Sequence, residues 1–182
     1  MLPVRVACGT VLLRPFRAAD ASRVAALCGE RHVAEMTGVI PHPYTAVMAE
    51  QWIATLPDPA SAAAEYTYAV LRREDDLLIG AVGICPDPGA IDSLGYWIGR
   101  PYWGRGYASE AASAAIALGF TQLELDEMHA THLARNPASG RVMQKCGMVE
   151  VRRELRPHRG GPPEPFCVWS IDRVAWRAWI DR

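Results

Sequence analysis

The chain has 182 residues, of which 50% are hydrophobic and 21% charged, and its formal net charge is −1. This suits one domain with a sizeable core, and the near-neutral charge supplies no basic field that would argue for a nucleic-acid partner. The opening MLPVRVACGTVLLRP lacks the charged start and long apolar centre of a signal peptide, and no apolar run approaches the roughly 20 residues that span a membrane, so a cytoplasmic protein with no membrane partner is expected.

Cys8, Cys28, Cys85, Cys146 and Cys167 are far apart, odd in number and form no CxxC, which reads as reduced core cysteines. The five histidines form no zinc set. His129 and His132 point to opposite faces if their segment is a strand, so no metal is expected.

In chain order, Val11 to Leu13 predicts a short strand, and Asp20 stands where a helix N-cap belongs, with Val24, Leu27 and Cys28 at helical spacing. Gly38 to Tyr44, with Pro41 and Pro43, reads as a loop. Thr45 caps a second helix whose apolar face is Ala49, Trp52, Ile53 and Leu56, and Pro57 and Pro59 end it. Tyr66 to Arg72 and Leu77 to Cys85 are strand-like, joined by a polar turn at Arg73 to Asp76. A Pro/Gly turn from Pro86 to Gly89 leads to a third strand, Ser93 to Gly99. After a glycine-rich turn comes a helix from about Ala108 to Phe120, buried along Ala112, Ala115, Ile116, Gly119 and Phe120. Met128 to Ala134 reads as a strand. A short helix follows, with Asn136 as N-cap, Pro137 in the first position and Gly147 just past its end. Val149 to Leu155 and Phe166 to Ile171 are closing strands around a Pro/Gly-rich loop, Arg156 to Pro165. Asp172 to Arg182 is an amphipathic tail helix with Trp176, Trp179 and Ile180 on one side. Strands cluster in consecutive groups, which predicts one α/β (α+β) domain over residues 1–182. Its mixed, largely antiparallel central sheet is flanked by helices.

The segment that carries chemistry is RPYWGRGYASEA, residues 100 to 111, between a strand and a helix. Gly104 and Gly106 let the backbone approach a ligand, and the helix that follows adds free N–H groups and its positive dipole end, which together make an anion site. Arg105 adds a charge-assisted contact. The alternative is a tight turn that needs glycine for geometry alone. No GxxxxGK[ST] occurs, and GxGxxG fails at Ser109, so neither a P-loop nor a dinucleotide fold is read.

The order strand, WGRGYASEA, helix, strand, NPASGRVMQKCGM resembles the GNAT acetyltransferase superfamily. Its pyrophosphate motif, [QR]-x-x-G-x-[GA], falls on Trp103, Gly106 and Ala108, with Trp103 departing from the usual Gln or Arg. YWGRGYA, the opening VLLRPFRAADA, the LGYWI strand and NxxSxxxxxKxG are similar to the RimJ/RimL-like branch, over about Thr10 to Trp176. The resemblance implies an acetyl-CoA-dependent N-acetyltransferase working by direct transfer to a primary amine. The acceptor would be a protein N-terminus, such as that of a ribosomal protein, or a small amine, amino acid or aminoglycoside. The implied partners are acetyl-CoA, that acceptor and, as one option, a second copy in a homodimer.

By the same resemblance, the backbone of Tyr96, Trp97 and Ile98 bonds the pantetheine arm like an added strand. The N–H groups of Gly104, Arg105, Gly106, Tyr107, Ala108 and Ser109 cradle the pyrophosphate. Asn136 faces the pantetheine or the leaving sulfur, and Lys145 lies near the nucleotide end. Asn136 also reads as a simple helix cap, and Lys145 as a solvated lysine.

Transfer from a thioester needs a neutral amine, donors for the carbonyl oxygen, a donor for the leaving thiolate and reactants held in line. Many relatives place a Tyr for the sulfur where this chain has Met143. Ser139, one turn earlier on the face of Val142, Met143 and Cys146, is the donor candidate; it also reads as a first-turn serine bonding local backbone. Relatives often carry a basic Glu where this chain has Ser93. Asp92 is one residue off and reads as a solvated turn residue. Glu127, His129, His132 or a water relay are other bases, and none is assigned. The resemblance places Gly38 to Tyr44 and Arg156 to Pro165 around the acceptor entrance, where His42, Tyr44, His158 and Arg159 either touch the acceptor or are plain surface residues. A non-catalytic CoA-binding module and a nucleotide-binding protein with an unusual glycine loop are the rival readings.

Overall fold

Val6–Cys8 (β1) and Val11–Pro15 (β2) form a hairpin around Gly9, whose φ of +53° suits a residue without a side chain. The structure, a computed structural model, describes residues 2–57, 65–87 and 92–182. Tyr66–Arg72 (β3), Leu77–Ile84 (β4) and Leu94–Ile98 (β5) complete an antiparallel sheet in the order β1-β2-β3-β4-β5. The period-2 alternation of strands sorts its residues onto two cores. Val11, Leu13, Tyr66, Tyr68 and Val70 pack on one face, and Leu12, Ala69 and Leu71 on the other. The central strand β3 is therefore apolar on both sides.

Helix Tyr107–Thr121 (α4) covers the first face. The face expected for it is buried, and so are Ala111, Ala114 and Leu118, because its small side chains let it sink into the core. Ala21–Cys28 (α1), Arg31–Glu35 (α2) and Ala46–Thr55 (α3) line the second face. Thr45 accepts from the Met48 N–H, the expected cap. Pro59, expected with Pro57 to end this helix, lies outside the described residues, as do residues 88 and 89 of the expected Pro86 to Gly89 turn.

A second antiparallel sheet has the order β6-β8-β7: Glu127–Leu133 (β6), Val149–Pro157 (β7) and Pro163–Asp172 (β8). Pro137–Lys145 (α5) joins β6 to β7, and Arg173–Ile180 (α6) ends the fold, capped by Asp172. Gly147 at φ +82° reverses the chain after α5, with the Met148 N–H bonded back to the Met143 carbonyl. A side chain at Gly147 would also strike the Trp179 ring, 2.7 Å from an ideal Cβ.

Two expectations are corrected. Asp20 does not cap α1. It ends a 3-10 turn, Ala18–Asp20, and its carboxylate accepts from both terminal guanidinium nitrogens of Arg14, at 2.7 and 2.8 Å, and from the Arg17 N–H. The expected loop from Arg156 to Pro165 is largely sheet. Pairing runs on through Leu155↔Pro165, Arg156↔Glu164 and Pro157↔Pro163, and leaves only residues 158–162 as the turn. The prolines are tolerated because the alternation puts their nitrogens at positions that do not bond across the β7–β8 ladder. Pro165 points its carbonyl to the Ala134 N–H on the β6 side instead. Strand β1, helix α2 and the two 3-10 turns are too short to show a period in the sequence.

Candidate active site

The two sheets meet along β5 and β6. Just before β5, the Ser93 N–H donates to the His129 carbonyl at 2.9 Å, and the Ser93 hydroxyl oxygen accepts from the His129 N–H at 2.6 Å. Beyond that closure no ladder joins β5 to β6 among the described residues. Ser93, where relatives were expected to carry a carboxylate, is a 6%-exposed clasp at the closed end of a seam.

Backbone parity decides what lines the seam. The Gly99 N–H bonds the Ile79 carbonyl and the Cys85 N–H bonds the Ser93 carbonyl, so the odd residues of β5 face β4. The N–H and C=O of Tyr96 and Ile98 therefore point into the seam, whereas those of Trp97 pair with Ala81. This corrects the expectation that all three residues offer backbone to a ligand. On β6, bonds from Arg173 to the Asp126 carbonyl and from Ala134 to the Pro165 carbonyl give even residues to β8. Thr131 and Leu133 then form the facing wall. The sequence reading missed these two, since only the register reveals them.

At the open end of the seam a 3-10 turn, Arg100–Tyr102, leads to the glycines. Gly104 has φ +75° and Gly106 φ +87°, and an added Cβ on either would meet nothing within 4 Å. The turn needs glycine for its backbone sign, and the space above it is open. Gly106 is the N-cap of α4 and accepts from the Glu110 N–H, which leaves the N–H groups of Tyr107, Ala108 and Ser109 as the free first-turn donors. Arg105 is exposed. Glu110 is turned aside, its carboxylate accepting from the Thr10 N–H at 2.6 Å and the Thr10 hydroxyl at 2.9 Å. Tyr102 anchors the turn: its hydroxyl accepts from Arg23 at 2.5 Å, and the guanidinium groups of Arg23 and Arg72 lie 5.7 and 5.9 Å from its ring centroid. Trp103 spends its indole N–H on the Ile98 carbonyl. Its side chain therefore braces the turn at the motif position where relatives carry Gln or Arg.

Helix α5 stands beside this cradle, with the Cys146 thiol 3.6 Å from the Ser109 carbonyl in the first turn of α4, and exposed Lys145 adjoining it. Asn136 uses its Oδ1 to cap α5, accepting from the Ser139 N–H at 3.4 Å, so its amide nitrogen is the group left to reach a ligand. Ser139 is half-buried, and its hydroxyl lies 2.8 Å from the Tyr96 hydroxyl. Burial pushes the Tyr96 phenol well above its ordinary range, so it stays protonated. Met143 is 2% exposed and belongs to the core, so a larger ring there would overpack it.

Of the base candidates, Asp92 departs most from its sequence reading. It is partly buried beside the closed end of the seam. One carboxylate oxygen accepts from the Thr131 hydroxyl at 2.8 Å, and the other is buried without a hydrogen-bond partner. Burial raises its pKa, against the smaller opposing effects of Thr131, Arg156 and His129. His129 pairs with Glu127 at 3.4 Å on the opposite face from His132. His132 is buried, one nitrogen against the Leu133 carbonyl and the other close under Gly140.

At the expected acceptor entrance, Arg159 in the β7–β8 turn donates to the Ala34 and Ile40 carbonyls and so holds the loop of residues 38–44. Gly38, Val39, Ile40, Pro41 and Arg159 line a cavity of 310 Å³ there. His158 is buried, His42 is exposed, and Tyr44 is half-buried with its phenol pushed up by burial.

The family model for the acetyltransferase (GNAT) domain matches residues 10–149. An uncharacterised N-acetyltransferase of Bacillus subtilis strain 168, YnaD, is 39% identical over 88 residues, 48% of this chain and 50% of that protein. The aligned segment thus spans about half the length of such curated relatives. Among solved structures, the ribosomal-protein-S5-alanine acetyltransferase of Vibrio fischeri superposes with a TM-score of 0.78 at 20% identity, over 96% of this chain and 99% of the other. The spermidine N-acetyltransferase of Vibrio cholerae, solved with CoA and spermine, gives 0.76 at 19% identity, over 92% and 98%.

Proposed function

The chain belongs to the GNAT acetyltransferase family, and on that premise we propose that its 182 residues act as one domain that moves acetyl from acetyl-CoA to a primary amine. One observation carries the reading: an open glycine turn at a helix start stands at the end of a seam that no strand ladder bridges among the described residues, with Ser139 touching Tyr96 across it. The pyrophosphate lies against the N–H groups from Gly104 to Ser109, with Arg105 adding charge. The pantetheine arm bonds the seam-facing backbone of Tyr96 and the Ile98 N–H, the Ile98 carbonyl being taken by Trp103. Asn136 meets it through its amide nitrogen, and Lys145 attends the nucleotide end. The turn offers free N–H donors and the exposed Arg105, which fits a diphosphate.

In the transfer, the amine nitrogen bonds the acetyl carbon and the C–S bond breaks with its electron pair going to sulfur. Ser139 donates a hydrogen bond to that sulfur as charge gathers on it. Asp92 takes the proton shed by the amine, since a carboxylate with a raised pKa at the closed end of the seam is a fitting base.

The acceptor is a peptide N-terminus in preference to a polyamine. Glu35 and Glu164 are engaged by Arg31 and Arg135, so neither carboxylate is free to take a polycation. A screen with acetyl-CoA that reads free thiol tests this, with peptides of varied N-terminus, polyamines, amino acids and aminoglycosides as acceptors. Turnover confined to polyamines overturns the acceptor, and tight acetyl-CoA binding without turnover on any amine leaves a CoA-binding module. Ser139→Ala should lower kcat on the order of a hundredfold at unchanged acetyl-CoA affinity.

A further inference from the structure

We infer that Tyr96 is a positioning residue that turns the Ser139 hydroxyl toward the departing sulfur. This rests on the reading of Ser139 as the sulfur's donor. Tyr96 stands on β5 and Ser139 in the first turn of α5, so the 2.8 Å contact between their hydroxyls crosses the line along which the two sheets part. The phenol also donates to the Ser139 carbonyl at 3.1 Å, so its one proton is shared between that carbonyl and the nearer serine hydroxyl oxygen.

Only one of two hydroxyls in contact donates to the other. A phenol is the more acidic group and the better donor, and the buried Tyr96 keeps its proton at neutral pH. Tyr96 therefore donates, the Ser139 oxygen accepts, and the serine proton is released from this contact to face the seam. Accepting a hydrogen bond also strengthens a hydroxyl as a donor. Tyr96 transfers no proton, because burial disfavours the tyrosinate that transfer would leave. The tyrosine that many relatives place at Met143 is thus not simply absent. A tyrosine from the opposite wall acts through a serine.

Tyr96→Phe keeps the ring and removes only the hydroxyl. The test follows single-turnover release of thiol from acetyl-CoA, with a hexapeptide bearing an N-terminal alanine as acceptor. A parallel series uses water as the only acceptor, a reaction with the same leaving group. Tyr96→Phe should slow release about tenfold, the worth of one hydrogen bond, at unchanged acetyl-CoA affinity. In a Ser139→Ala background it should slow release no further, because no hydroxyl remains to orient. Ser139→Thr, which retains a hydroxyl, should keep the dependence on Tyr96. A structural role alone would give equal losses in both backgrounds, and that result overturns the inference. A normal rate for Tyr96→Phe beside an impaired Ser139→Ala overturns it while sparing the role of Ser139. A normal rate for Ser139→Ala overturns both. Should Tyr96→Phe fail to fold by circular dichroism, the hydroxyl is needed for packing and the inference is likewise overturned.

Discussion

The indole N–H of Trp103 donates to the Ile98 carbonyl at 2.5 Å, and so closes the turn between the seam strand and the glycine cradle on itself. The family motif has Gln or Arg at this position. Here the side chain is 46% exposed, but its one donor is occupied by backbone.

Trp103→Phe should therefore loosen the cradle without removing a ligand contact. Acetyl-CoA KM should rise several-fold, consistent with the loss of one hydrogen bond worth about 1 kcal/mol, while kcat holds. Steady-state kinetics at varied acetyl-CoA reads this directly. A fall in kcat with unchanged KM would show that the indole acts elsewhere.

Gly106 separates backbone strain from ligand repulsion. Its φ of +87° disfavours any side chain, yet a Cβ there meets open space. Gly106→Ala should thus cost about 1 kcal/mol of stability and weaken acetyl-CoA modestly. Gly106→Asp carries similar strain and adds a negative charge beside the cradle, so acetyl-CoA binding should be lost from a folded protein. Calorimetry on both folded variants is the measurement, and equal affinities would place the pyrophosphate elsewhere.

The Arg14–Asp20 pair supports the outer face of the first sheet, with both side chains only 10% exposed. Burial alone would raise the Asp20 pKa. The bonds from Arg14 and Arg17 outweigh it and hold the carboxyl below its ordinary value. Arg14→Met should cost about 3 kcal/mol or more by leaving a buried charge unpaired. Asp20→Asn should destabilise at neutral pH. Because the folded pKa is lowered, the deficit against wild type is complete above the unfolded value of about 3.9 and fades as pH falls through the folded one. Thermal melts across that range check the sign.

Asp92 should behave in the opposite way. Its folded pKa is raised, so ionisation costs stability once the pH passes the unfolded value of about 3.9, and the cost is complete above the folded pKa. Asp92→Asn should melt higher than wild type at neutral pH and equally at low pH, yet lose activity and the acidic limb of its rate profile. A variant that is both less stable and fully active would remove Asp92 from the mechanism.

Much of the fold was legible because its signals are local. Thr45 and Asn136 cap helices through their own side chains, Gly147 reverses the chain behind α5, and the alanine-rich run after Gly106 is a helix at the expected place. The glycine turn was legible for the same reason. A positive φ at Gly104 and Gly106 is a property of a few adjacent residues.

Contacts between residues distant in the chain were not legible. Tyr96 and Ser139 are 43 residues apart, Ser93 and His129 are 36 apart, and Asp92 reaches Thr131 over 39. A sequence window cannot show that Asp92 is drawn inward, that Trp97 gives its backbone to β4, or that pairing carries β7 and β8 through three prolines. Periodicity and turn chemistry act within a few residues, and so the sequence by itself determined the longer elements, the caps at Thr45 and Asn136 and the glycine turn. The register of each strand pair and the burial of each polar group exist only once distant segments meet, and so the tertiary structure alone decided which backbone lines the seam and which hydroxyl faces Ser139.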